Sequence, residues 1–180
     1  MSKKFVWSLV LLIVATGIIS CKKDQSSSVE IAITSDEIPY SKSTVRVKEI
    51  WLNYATKKSN SEWVRLDLAG TEYDFVDLYN DLRDTIIVAQ TKIDDIKTLL
   101  QVRLTFEETG NQVITNMQDT LDLSMSNSAI HGIQVSINKA TEKGKIYDLR
   151  LAIKADSTAI IQNNPVFDPS ICIDTLIIRE

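Results

Sequence analysis

The chain has 180 residues, with 20 Lys and Arg against 24 Asp and Glu, a formal charge of −4, one histidine and two cysteines. That balance excludes a broadly basic nucleic-acid-binding protein. A single imidazole rules out a histidine-rich zinc site and leaves His131 as the one possible base of a hydrolytic triad, and two thiols permit at most one disulfide.

At the start, Lys3 and Lys4 precede an apolar run over residues 5–19. Its length falls short of the roughly 20 residues that cross a bilayer, so it reads as an export leader rather than a permanent span. The run closes on Ile18-Ile19-Ser20-Cys21. Branched and small residues before a cysteine are what lipoprotein processing needs, because the peptidase requires them at the cut and the thiol must accept a diacylglycerol. The expectation is therefore a signal-peptide helix over 1–20 and a lipidated Cys21 whose acyl chains, palmitate among them, anchor the mature protein. This places it in a bacterial cell envelope, as an outer-membrane lipoprotein facing either the periplasm or the exterior.

Loss of Lys3 and Lys4 with the leader would bring the formal charge to −6 and leave Cys172 as the one unmodified thiol. No intramolecular disulfide is then available, and Cys172, inside Ser170-Ile171-Cys172-Ile173, reads as a buried, inert residue. Together with Cys21, the polar stretch Lys-Lys-Asp-Gln-Ser-Ser-Ser forms a flexible tether over 21–28. Its seven polar residues reach about 25 Å at most. The remainder, 29–180, is the size of one domain and shows no internal repeat.

Within it the hydrophobic period is mostly two, the mark of half-buried strands. Candidates in chain order are 29–34, 44–54, 62–68, 73–78, 85–90, 100–106, 133–137, 147–153 and 171–178. About nine short strands with turn residues between them predict an all-β, antiparallel, two-sheet sandwich. In the longest candidate Val45 and Val47 lie in one phase and Ile50, Leu52 and Tyr54 in the other, which predicts a bulge near Lys48-Glu49 and an outward-facing Trp51. Phe75, Leu78 and Leu82 recur at three and four residues and allow a helical turn; the reading preferred is a strand that ends near Leu78.

A set of ordered motifs carries a family resemblance: Ile31-Ala32-Ile33-Thr34-Ser35-Asp36, Val45-x-Val47-x-x-Ile50, Trp63-Val64-x-Leu66, Val76-Asp77-Leu78, Gln101-Val102-Arg103-Leu104, Gly132-Ile133 and Tyr147-Asp148-Leu149. In their order and spacing the chain resembles lipoproteins with the domain of unknown function 4382, from about residue 29 to 179. The resemblance implies a β-sandwich behind a lipoprotein signal. It implies no reaction, substrate or catalytic residue. The fold class expected is a transthyretin-like or immunoglobulin-like sandwich. Where the family has an Asp-Phe-Asp segment, this chain has Ala152-Ile153-Lys154.

The remaining constellations point away from catalysis. His131 stands before Gly132 at a strand entrance and reads as structural or surface. Ser126 and Ser128 sit in no nucleophile elbow, and the five glycines form no phosphate loop. Asp74, Asp77, Asp81 and Asp84, and the pair Asp94-Asp95, read as turn carboxylates, since the spacing and glycine of a calcium loop are missing. The expectation is thus a lipid-anchored, non-catalytic binding or structural module of the envelope, not an enzyme, with no cofactor or metal. It would contact the membrane through Cys21, and an envelope protein or a glycan as partner. One alternative is a glycan-binding lipoprotein, with Trp51, Trp63 and Tyr54 as the candidate ligand-binding residues, because a sugar's apolar face packs on an aromatic ring. The other is a fimbria-like assembly subunit.

Overall fold

The computed structural model describes residues 26–36, 39–80, 86–154, 160–161 and 164–180. The leader, Cys21, most of the tether, Asp81 and Asp84 lie outside the described residues.

In chain order the elements are β1 (Ser27–Ser35), β2 (Lys42–Thr56), β3 (Glu62–Arg65), β4 (Asp67–Leu68), β5 (Glu72–Asp74), α1 (Phe75–Asn80), β6 (Ile86–Ile93) and β7 (Ile96–Phe106). There follow β8 (Gln112–Ile114), β9 (Thr120–Asp122), β10 (Ser124–Met125), α2 (Asn127–His131), β11 (Ile133–Ala140), β12 (Ile146–Lys154), β13 (Ile160–Ile161), β14 (Asn164–Phe167) and β15 (Ser170–Arg179). The protein is a β-sandwich, as its periodicity predicts. The first sheet runs β15-β12-β1-β6-β4; the second runs β11-β7-β2-β8-β9, with β3 and β5 also pairing with β2. A small sheet, β10-β14-β13, completes the fold. Among the described residues no helix is long and apolar enough to cross a membrane.

Alternation builds the core directly. Ile31, Ile33, Leu149 and Leu151 of the first sheet and Ile50, Leu52, Val102 and Leu104 of the second are all buried between the layers. At one end of the sandwich Phe167 meets Phe75 and Phe106 edge to face, at ring distances of 5.5 and 5.3 Å. Such pairs each add about 0.5–1.5 kcal/mol beyond the area they bury. The phase change in β2 is a bulge: its pairing with β7 shifts between Val47 and Glu49. Residues 42–46 pair with β5 and β8, and from Val47 onward the strand pairs with β7 and then also with β3, so one strand of 15 residues serves two stretches of sheet.

Four features differ from expectation. The strand placed at 73–78 stops at Asp74 and gives way to α1, because the Asp74 carboxylate accepts the Val76 N–H at 3.0 Å and Phe75 and Leu78, three apart, both turn into the core. The strand count is larger than nine, since β8, β9, β10, β13 and β14 are only two to four residues long and too short for alternation to register. β1 and β12 run parallel, inside sheets that are otherwise mostly antiparallel. Finally, β1 begins at Ser27, within the stretch read as tether, and Ser27 is buried.

Candidate functional site

On the outer face of the second sheet, alternation turns Glu49, Trp51 and Asn53 away from the buried Ile50 and Leu52. Register then sets their neighbours. Trp51 stands between Arg65 of β3 and Arg103 of β7, and Asn53 between Trp63 and Gln101. The Arg103 guanidinium lies 5.6 Å from the Trp51 ring centroid and reaches across β2 to within 5.1 Å of that of Trp63. Both distances lie within cation–π range. Among the described residues the buried Arg103 Nε has no hydrogen-bond partner, and the two ring faces are the contacts this guanidinium makes.

Two neighbours fix the arrangement. The Trp51 indole N–H donates to the Glu49 carboxylate at 2.8 Å, and Arg65 approaches the other oxygen of that carboxylate at 3.5 Å. These contacts, the Trp51 N–H first, hold the Glu49 carboxyl below its usual range. On the other side Gly132, at φ 115°, lies under the stem of Arg103: a Cβ there would stand 2.8 Å from its Cδ and 2.9 Å from its Cγ. Only glycine combines that dihedral with so close an approach.

Trp51 and Trp63, expected as ligand contacts, are thus brought to one face. Trp63 keeps 38% of its surface exposed. Tyr54 is separated from them: it shares the phase of Leu52, packs against the core at the sheet's end and donates its hydroxyl to Glu62 at 3.2 Å. Burial, and then the Glu62 carboxylate, push its phenol up. Arg103 and Gly132 were not among the expected site residues. Arg103 is legible only as the outward residue of Gln101-Val102-Arg103-Leu104, and the strand that brings Trp63 near it is set by register.

The outer face of the first sheet is built differently. Parallel register sets Glu30 beside Asp148, and Arg179 reaches both, at 2.6 and 2.7 Å. Burial first, then Asp148, raise the Glu30 carboxyl above its usual range, and Arg179 offsets only part of this. A groove of about 320 Å³ runs here past Ala32, Ile87 and Ile177.

The other candidates take structural places. Asp74 caps α1 and also accepts the Ser43 N–H at 3.1 Å; Asp95 pairs with Lys143 at 2.9 Å. His131 is exposed at the end of α2, its Nδ1 2.9 Å from the Asn127 carbonyl. Ser126 caps α2 by accepting the Ala129 N–H, and Ser128 donates to Asp168. Cys172 is half-buried rather than buried, because it pairs with Ala152 in the outward phase of β12.

Comparison with protein-family models matches residues 26–167 to DUF4382, a domain of unknown function. Comparison with curated proteins found no match. Two crystal structures, of proposed cell adhesion proteins from Bacteroides ovatus and Parabacteroides distasonis, are similar at 10% identity, with TM-scores of 0.32 and 0.35. The alignments take in 84% and 86% of this chain but 44% and 52% of those chains, so it spans about half of their length.

Proposed function

Since the chain belongs to the DUF4382 family, whose name assigns no reaction, we propose a non-catalytic binding module, held at the bacterial envelope by acyl chains on Cys21, that recognises glycans on the outer face of its second sheet. The observation that carries the reading is the Trp51–Arg103–Trp63 stack. A tryptophan held by a cation from one side and open on another offers a rigid apolar plane at little entropic cost. Around it Arg65, Gln101, Gln134 and Glu49 supply the hydrogen-bonding groups that a sugar's hydroxyls require. Titration of the envelope-extracted protein against a glycan array is expected to find a ligand whose affinity Trp63→Ala lowers about tenfold or more. Absence of any glycan ligand removes this part of the reading. The anchor is tested apart from it, by intact mass: an unacylated amino end removes the lipoprotein reading.

A second reading, an assembly subunit, draws on β15. This ten-residue strand ends the first sheet and pairs with β12 alone in the sheet order, with Ile177 and Ile178 49% and 42% exposed. Such an edge can accept a further strand. Strictly monomeric sedimentation at every concentration tried would remove it.

A further inference from the structure

The chain is acidic overall, yet its lysines are gathered at one end. β1 starts where Ser27 pairs with Ile93 and Ser28 with Lys92 and Ile146. At that same end Thr56 meets Ile96 and Ala140 meets Thr98. The turns following β2, β6 and β11 therefore converge there. They bring Lys57 and Lys58, then Lys92 and Lys97, then Lys139, Lys143 and Lys145. These are seven of the ten lysines within the described residues. Five carboxylates accompany them, Glu62, Asp94, Asp95, Glu142 and Glu180, and three of these are held: Asp95 by Lys143 and Glu180 by Lys145, each at 2.9 Å, and Glu62 by the Tyr54 hydroxyl at 3.2 Å. The opposite end carries Asp36, Asp77, Glu107, Glu108 and Asp168. A cavity of about 410 Å³ opens at the lysine end, lined by Lys57, Lys58 and Lys92 and by the carboxylates Glu62, Asp94 and Asp95, of which Asp95 is held by Lys143 and Glu62 by Tyr54.

We infer that this end is a docking surface for an anionic bilayer, with phospholipid phosphates received between Lys57, Lys58 and Lys92. Charge complementarity selects the occupant, because clustered ammonium groups within a Debye length of a negative leaflet are drawn to it. The position of the chain's entry supplies the orientation, and here the inference rests on the proposed anchor. Cys21 stands six residues before Ser27, so a tether of about 20 Å at full stretch presents the start of β1, and with it the lysines, to the headgroups. The acidic end then points away, and the tryptophan face stands lateral to the bilayer, clear for a ligand.

The test uses envelope-extracted protein reconstituted into vesicles of phosphatidylcholine alone or mixed with phosphatidylglycerol, with an amine-reactive label mapped by mass spectrometry. In the phosphatidylglycerol vesicles Lys57, Lys58 and Lys92 are expected to lose roughly threefold or more of their labelling relative to Lys42, Lys48 and Lys154, and to regain it at high salt. The triple variant Lys57→Gln, Lys58→Gln, Lys92→Gln, on exposed side chains, is expected to abolish the lipid-dependent protection of Lys139 and Lys143. The same labelling pattern in both lipids overturns the inference. Should intact mass show no acyl chain, the anchor reading falls by itself, and co-sedimentation of that unacylated chain with phosphatidylglycerol vesicles decides the surface: salt-sensitive binding upholds it and no binding overturns it.

Discussion

The two outer faces of the sandwich each carry an arginine amid partly covered neighbours, and they satisfy it in opposite ways. On the first sheet Arg179 is met by two carboxylates, Glu30 and Asp148, so charge answers charge. On the second, Arg103 forms no ion pair among the described residues and rests on the rings of Trp51 and Trp63, while the nearby carboxylate, Glu49, is turned to an indole N–H and to Arg65. A face whose charges are internally matched has little left for a ligand. A face that holds its cation by π contact alone retains hydrogen-bond donors and an open ring, which is why the second face is the proposed recognition surface.

The largest effect that separates them should come from Gly132→Ala. The new Cβ would meet the Arg103 stem at a dihedral that only glycine tolerates, and urea unfolding is expected to show a loss of about 2 kcal/mol or more. Adding Arg103→Ala should restore only the part due to the collision, leaving the dihedral cost. A full recovery would mean that the backbone at Gly132 is not strained.

Arg103→Met should cost about 1 kcal/mol, the weight of its two ring contacts, and shift tryptophan emission, with little dependence on pH. Arg179→Met should instead destabilise more at neutral pH than in acid, because Glu30 and Asp148 are then left facing each other as two anions. If the two substitutions respond alike to pH, the contrast between the faces fails.

The smallest effects come from the carboxylates themselves and have opposite signs. Glu30 has a raised folded value, so its carboxylate is worse off folded than unfolded, and stability drains as pH rises from the ordinary glutamate range through that value. Glu49 has a lowered one, so it contributes stability that is full above the ordinary range and lost as pH falls through the folded value. Glu30→Gln should flatten the first limb and Glu49→Gln the second, each by within about 1 kcal/mol for such partly exposed groups. Urea midpoints across mildly acidic pH measure both, and a Glu30→Gln protein that loses more stability with rising pH than the parent would reverse the assignment.

Much of this architecture is legible in the residues, and what is not has a common cause. The bulge at Lys48-Glu49 and the outward turn of Trp51 follow from a change of phase within one strand, a local signal. So do most of the long strands. At Phe75–Asn80 the residues Val76-Asp77-Leu78 suit both periods, and the Asp74 cap selects the helix. The stack of Arg103 between two tryptophans, by contrast, joins three strands whose registers no single segment encodes. The lysine end is more dispersed still: it draws on turns from residue 57 to residue 145, inside a chain whose overall charge has the opposite sign.

The parallel pairing of β1 with β12 has a consequence for the order of assembly. The first strand of the domain lies between β6 and β12, and its partners on the β12 side are residues 146–153, more than a hundred positions further along. A growing polypeptide cannot close this layer until almost all of it has emerged. Closing so long a loop is also slow, because its entropy is lost before the distant contacts repay it. The first layer therefore stays incomplete until the residues of β12 are present, even though the β2–β7 pairing of the second can form before them.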